Sequence, residues 1–196
     1  MNFLKSILLS PLIKMYRRRS PPNTYSIYGE PISFFEIYNS IKTSNREICG
    51  FITKYGKRIK VNEGPQIIFD EYGTRLNRGM CPNPILPVLW HTHPKISKYY
   101  PSIEDLLSII ESDIIEKSYI YTIYGYWTIK YLHFLDDYTY RKPIIDLITD
   151  ASNKFYWRTG RGREYNLREI NQFIQKINQL KDIIGNTFSI EWHRYS

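Results

Sequence analysis

Cysteine is nearly absent from this chain: Cys49 and Cys81 are the only two among 196 residues. Two are too few for a disulfide framework and neither sits in a CxxC pair. An intracellular, reducing compartment, most simply the cytoplasm, is therefore expected. No apolar run approaches the ~20 residues that cross a bilayer, which excludes a membrane-spanning helix. Acidic residues are missing from residues 1–29, where Lys5, Lys14, Arg17, Arg18 and Arg19 stand unopposed. The apolar stretch 2–16 lacks a small-residue cleavage site, and its charge cluster follows the apolar part, the reverse of a secretory signal. Membrane-surface contact by residues 2–19 and a transit-like peptide are alternatives; an N-terminal helix packed on the domain or left mobile is the favoured reading. Internal repeats are also absent.

Hydrophobic residues at 42% and charged residues at 23% are the balance of a globular protein. The formal charge of +8 raises the question of nucleic acid, but its distribution argues otherwise. The basic excess belongs to residues 1–29 and 141–196, while residues 30–140 carry one more acid than base. The basic run Arg158-Thr159-Gly160-Arg161-Gly162-Arg163, beside Tyr156 and Trp157, has the residue types of a nucleic-acid contact. A solvated basic loop is the commoner meaning of such a run, so nucleic acid is not the expected partner.

The pattern divides into a basic N-terminal extension (1–29), a central domain (30–140) and a basic helical C-terminal extension (141–196). Tyr25–Tyr28 suggests a short strand. Residues 32–41 show the i, i+3, i+4 spacing of a helix with one buried face. EICGFITKYGKRIKV reads as two strands around a turn at Tyr55-Gly56. Residues 63–84 form a long irregular segment with one apolar run at Ile67–Phe69. A strand ends at His91–His93, a helix covers Ser102–Glu116, and two strands, Tyr119–Tyr124 and Tyr126–Phe134, flank Gly125. A final amphipathic helix runs over 166–184; its apolar face suits core packing first, and a protein partner or second copy otherwise. This order predicts an α+β fold, a mixed β-sheet flanked by helices.

The chemistry concentrates in WHTHPKISKYYPSIED, Trp90 to Asp105. His91 and His93, two apart on a strand, project from one face. Pro94 ends the ladder because it has no N–H to donate. Asp105 falls in the first turn of the following helix, where the chain can fold back toward both imidazoles. Two histidines and a carboxylate are a plausible catalytic zinc set, since such sites keep three protein ligands and one open position. A hydrolytic site also needs a base, and Glu47 at the start of a strand offers one. Each element has a plainer competitor. Ser102-Ile103-Glu104-Asp105 after Pro101 is also a helix N-cap with a capping-box acid. A lone HxH in a strand is usually structural, and Glu47 is one of 19 acids. The cap and the metal readings are compatible. Cys81 reads as a loop residue, Cys49 as a buried strand residue, and His133 and His193 as structural.

Taken jointly, Glu47 followed by His91-Thr92-His93-Pro94, seven residues, then Ser102-Ile103-Glu104-Asp105 resembles the JAMM motif of the MPN-plus (JAB-type) zinc metalloproteases. The resemblance covers roughly Phe34 to Phe134. It implies an MPN/JAB-type, cytidine-deaminase-like sheet flanked by helices. It implies one Zn2+ held by His91, His93 and Asp105, with Glu47 as general base for the attacking water and later proton donor to the leaving amine. It implies Ser102 as a donor to the oxyanion. The implied activity is a deubiquitinase-like metallo-isopeptidase or peptidase acting on ubiquitin, a ubiquitin-like protein or a peptide. A non-catalytic or partner-activated interaction module of the same fold is the alternative. Ubiquitin-cleaving members carry two inserted segments: residues 63–84 could serve as the first, and the second is absent or reduced here.

Overall fold

A computed structural model describes residues 29–71, 76, 81, 85–97, 99–131, 142, 145–150, 167–179 and 188–196. The expected strand at Tyr25–Tyr28, the stretch 2–19 and the basic run 158–163 lie outside them. The chain is mixed α+β, with four helices around a seven-stranded sheet among the described residues. The elements are β1 (Glu30–Pro31), α1 (Phe34–Thr43), β2 (Arg46–Ile52), β3 (Arg58–Gln66), β4 (Val88–Thr92), α2 (Ile103–Glu111), β5 (Lys117–Tyr121) and β6 (Gly125–Tyr131). They are followed by α3 (145–150), α4 (Leu167–Asn178) and β7 (Phe188–Arg194). The sheet order is β1-β3-β2-β4-β5-β6-β7, antiparallel except for the parallel pair β4–β5.

That parallel pair explains α2. Parallel neighbours cannot be joined by a hairpin and need a crossover, which a helix supplies while covering one face. α2 buries Leu106, Ile109 and Ile110. They join the sheet's Ile120, Trp127 and Ile129 and α4's Ile170, Phe173 and Ile177 in the larger core. α1 covers the opposite face, where Ile37 and Ile41 meet Ile48, Trp90 and Tyr121. Alternation along β4 therefore sends Trp90 to the α1 side and His91 to the α2 side.

Several boundaries differ from the pattern, and three of the differences have a visible physical cause. The helix expected over 102–116 stops at Glu111, because the Ser112 hydroxyl accepts from the amides of Ile114 and Ile115 at 3.1 Å each and turns the chain. Ile114 is consequently exposed rather than part of the buried stripe. β3 continues to Gln66, several residues into the stretch expected to be irregular, because it pairs along β2 up to Arg46. Residues 188–194, given no strand by their alternation, form β7 and pair with the whole of β6. The described parts of the C-terminal segment are thus built into the main sheet and core. The apolar face of α4 packs inward, as its core-packing reading expects.

Candidate metal centre

The site starts from β4. Its far end is fastened to β2 by two side-chain bonds: Ile48 N donates to Thr92 Oγ1 at 3.0 Å, and Trp90 Nε1 donates to Phe51 O at 3.1 Å. Beyond the strand, His93 N donates to Tyr121 O at 2.8 Å, so β5 holds the backbone at the second histidine. Thr92 is the residue most easily overlooked in HTH. It is fully buried on the α1 side, and its hydroxyl fixes the strand whose other face carries both imidazoles. A polar, β-branched residue inside an apolar strand is the signal for it.

From Pro94 the chain turns, Ser97 N donating to Pro94 O at 2.7 Å, and reaches α2 through two buried tyrosines. Tyr99 O accepts from Trp127 Nε1 at 2.6 Å, and Tyr100 Oη lies 3.2 Å from Glu169 Oε2 on α4. These anchors deliver the N-terminus of α2 to the histidines. There Ser102 and Asp105 form a reciprocal capping box: Ser102 N donates to Asp105 Oδ2 at 2.7 Å, and Asp105 N to Ser102 Oγ at 3.1 Å.

Asp105 then faces both rings. His91 Nε2 is 3.1 Å from Oδ1, His93 Nε2 is 3.3 Å from Oδ2, and the two Nε2 atoms are 3.2 Å apart. Burial by itself would raise the Asp105 carboxyl. The charge and hydrogen bonds of His91 and His93 outweigh it and hold the group well below the usual carboxylate range. Two imidazole nitrogens aimed at each other and at one carboxylate need a proton or a cation between them. Bond lengths to zinc of about 2.0–2.2 Å place tetrahedral donors about 3.3–3.5 Å apart, close to the separations seen here. The donor set fits zinc in spacing and in type. Among the described residues this is the one cluster of three such side chains close enough to hold a metal.

Glu47 lies on β2, largely buried. Cys49 pairs directly with His91, and alternation puts Glu47 on the same sheet face, level with the chain at His93. Both expected catalytic side chains are therefore on the metal side: Ser102 caps the helix that carries Asp105, and Glu47 stands on the neighbouring strand. Of the other histidines, His193 stacks on Tyr126 at 4.6 Å and lies 3.4 Å from Glu191; His133 is outside the described residues.

The cysteines correct an expectation. Cys49 and Cys81 are joined in a disulfide, so the argument for a reducing compartment from two separate thiols no longer holds. A strand residue and a loop residue 32 positions apart meet only through the fold, and spacing carries no sign of it. Among the described residues, no helix is long and apolar enough to cross a membrane. In comparisons with known proteins, no family model, curated protein or solved structure matches the chain.

Proposed function

We propose that this chain is a zinc-dependent JAMM-type isopeptidase or peptidase on an MPN/JAB-type fold, acting on ubiquitin, a ubiquitin-like protein or a peptide. The observation that carries the reading is the convergence of His91, His93 and Asp105 on one point, at the ends of two elements joined by the HxHP-x7-SxxD spacing. Zinc held by these three would supply a Lewis acid for the scissile carbonyl and bring the pKa of water down to about 7.

The chain's own residues supply the rest. Glu47, fixed on β2, takes the proton from the attacking water and returns it to the leaving amine, which would otherwise depart as an unstable anion. Ser102 has a hydroxyl whose oxygen already accepts from Asp105 N. Its hydrogen remains available to donate to the developing oxyanion. Capping and catalysis thus use different parts of one hydroxyl. The capping box also orients Asp105, because Oδ2 is held by Ser102 N.

The test is zinc content together with cleavage of di-ubiquitin chains and short peptides, with and without chelator. One zinc per chain, chelator-sensitive cleavage, and a Glu47→Gln protein that keeps zinc but loses turnover support the proposal. A folded protein that binds no zinc sinks it. Stoichiometric zinc without turnover on any substrate would point instead to a non-catalytic module of the same fold.

A further inference from the structure

The sheet face opposite the histidines carries a concave site. A cleft of about 490 Å3 opens beside α1, lined chiefly by Phe34, Arg58, Tyr119, Tyr121, Tyr126 and Tyr195. That volume is in the range of small-molecule sites. Tyr119, Tyr121 and Tyr126 form its floor, with ring centroids 5.8–6.1 Å apart and the Tyr119 and Tyr121 rings nearly parallel. Tyr121 is buried, so the half-buried Tyr119 and Tyr126 carry the aromatic surface that a flat ligand would meet.

Two polar groups at the cleft are incompletely used. Arg58 Nε donates to Tyr121 Oη at 3.0 Å, and the guanidinium lies 5.9 Å from the Phe34 ring centroid and 5.7 Å from that of Tyr121. Among the described residues no carboxylate lines the cleft or pairs with Arg58, although its fork suits a bidentate anion. The Tyr195 hydroxyl is buried and meets no hydrogen-bond partner among the described residues. Its ring is packed against Phe34 and Tyr38 at 5.4 and 5.7 Å, so it cannot swing freely to find one. A second cation, Lys117, stands over Tyr119 at 4.4 Å. A buried donor left without an acceptor, as at Tyr195, asks for a ligand or an ion to complete it.

We propose that this cleft binds a small planar aromatic anion, its ring on the tyrosine floor and its carboxylate or phosphate at Arg58 and the Tyr195 hydroxyl. The site is independent of the metal centre, because β4 and β5 present His91 and Ile120 to one face and Trp90, Tyr119 and Tyr121 to the other.

Calorimetric titration of the full chain tests it with two anionic probes, adenosine monophosphate and 4-hydroxybenzoate, which distinguish a phosphate from a carboxylate headgroup. Adenosine and inorganic phosphate serve as the half-ligands. At least one anionic probe should saturate the protein with a sub-millimolar Kd, and each half-ligand should bind at least about tenfold more weakly. Arg58→Gln should weaken that probe by about tenfold or more, and Tyr195→Phe, which keeps the ring, by a smaller factor. His91→Ala should leave the binding unchanged. If Arg58→Gln does not fold, Tyr119→Ala at the floor must show the loss instead. No saturation by either anion up to about 5 mM, or binding indifferent to these substitutions, overturns the proposal.

Discussion

Asp105 uses its two carboxylate oxygens for different jobs, and this makes single substitutions informative. Oδ2 accepts from Ser102 N while both oxygens face imidazole nitrogens. Asp105→Asn keeps an oxygen for the helix cap but removes the charge that would hold zinc. The expected outcome is loss of stoichiometric zinc with the helical circular dichroism retained, read by elemental analysis and far-ultraviolet spectra. Glu47→Gln should do the reverse of a ligand mutant, keeping zinc while kcat falls by about 10²–10⁴-fold. Glu36, at the same third helical position in α1, forms the same reciprocal cap. Its carboxylate accepts from Ser33 N at 2.7 Å and from Ser33 Oγ at 2.6 Å. These two bonds, the hydroxyl's first, hold the group below the ordinary glutamate value of 4.5. A depressed folded pKa means the contribution is complete above the unfolded value and disappears as pH falls through the folded one. Carbon-detected NMR titration should give Glu36 a midpoint below 4.5, and Ser33→Ala should move it back up; an unchanged midpoint would remove the cap from this account.

At the scale of elements, legibility followed how local each cause is. α1 and α2 announce themselves by serine caps, acids three residues on and apolar spacing, all within a few positions. The end of α2 did not, because Ser112 serves as a local acceptor that a buried-looking Ile114 disguises. The site was legible for the same reason as the helix starts: His91, His93, Ser102 and Asp105 are close in sequence. Only Glu47 reaches them through strand pairing. Two features of β2 were invisible. Gly50 sits where a Cβ would lie 1.7 Å from the Ile59 carbonyl oxygen, a backbone contact that cannot yield cheaply. Gly50→Ala should therefore cost about 3 kcal/mol or more in denaturant unfolding. At Gly56, with φ +78° and open space around it, alanine should cost only about 1–2 kcal/mol. The Cys49–Cys81 bond is the other. Closing a loop over 32 positions, it should contribute about 2–4 kcal/mol by restricting the unfolded chain. Unfolding with and without reductant measures that directly, and Cys81→Ser should show no further effect of reductant.

For the whole molecule, composition and charge suggested a central unit of residues 30–140 followed by a basic helical extension, and the physical contacts distribute differently. Among the described residues, six core side chains follow residue 140: Ile148, Ile170, Phe173, Ile177, Phe188 and Ile190. They pack on Trp127, Ile129 and the α2 face, while β7 covers the edge of β6 along all seven of its residues. Charge could not reveal this, since along α4 Arg168 and Lys176 are interleaved with the buried Ile170, Phe173 and Ile177. Each buried aliphatic or aromatic side chain is worth about 1.5–3 kcal/mol, so the six together match or exceed the about 5–15 kcal/mol by which a domain is stable. Removing them would also expose β6 as an unpaired edge. A chain ending at residue 140 should therefore show no cooperative thermal transition and should aggregate, although it retains every side chain of the metal centre. Phe173→Ala in the full chain should cost about 3–5 kcal/mol by the same packing. A soluble 1–140 protein that unfolds cooperatively and binds zinc as the full chain does would make the C-terminal segment an appendage after all.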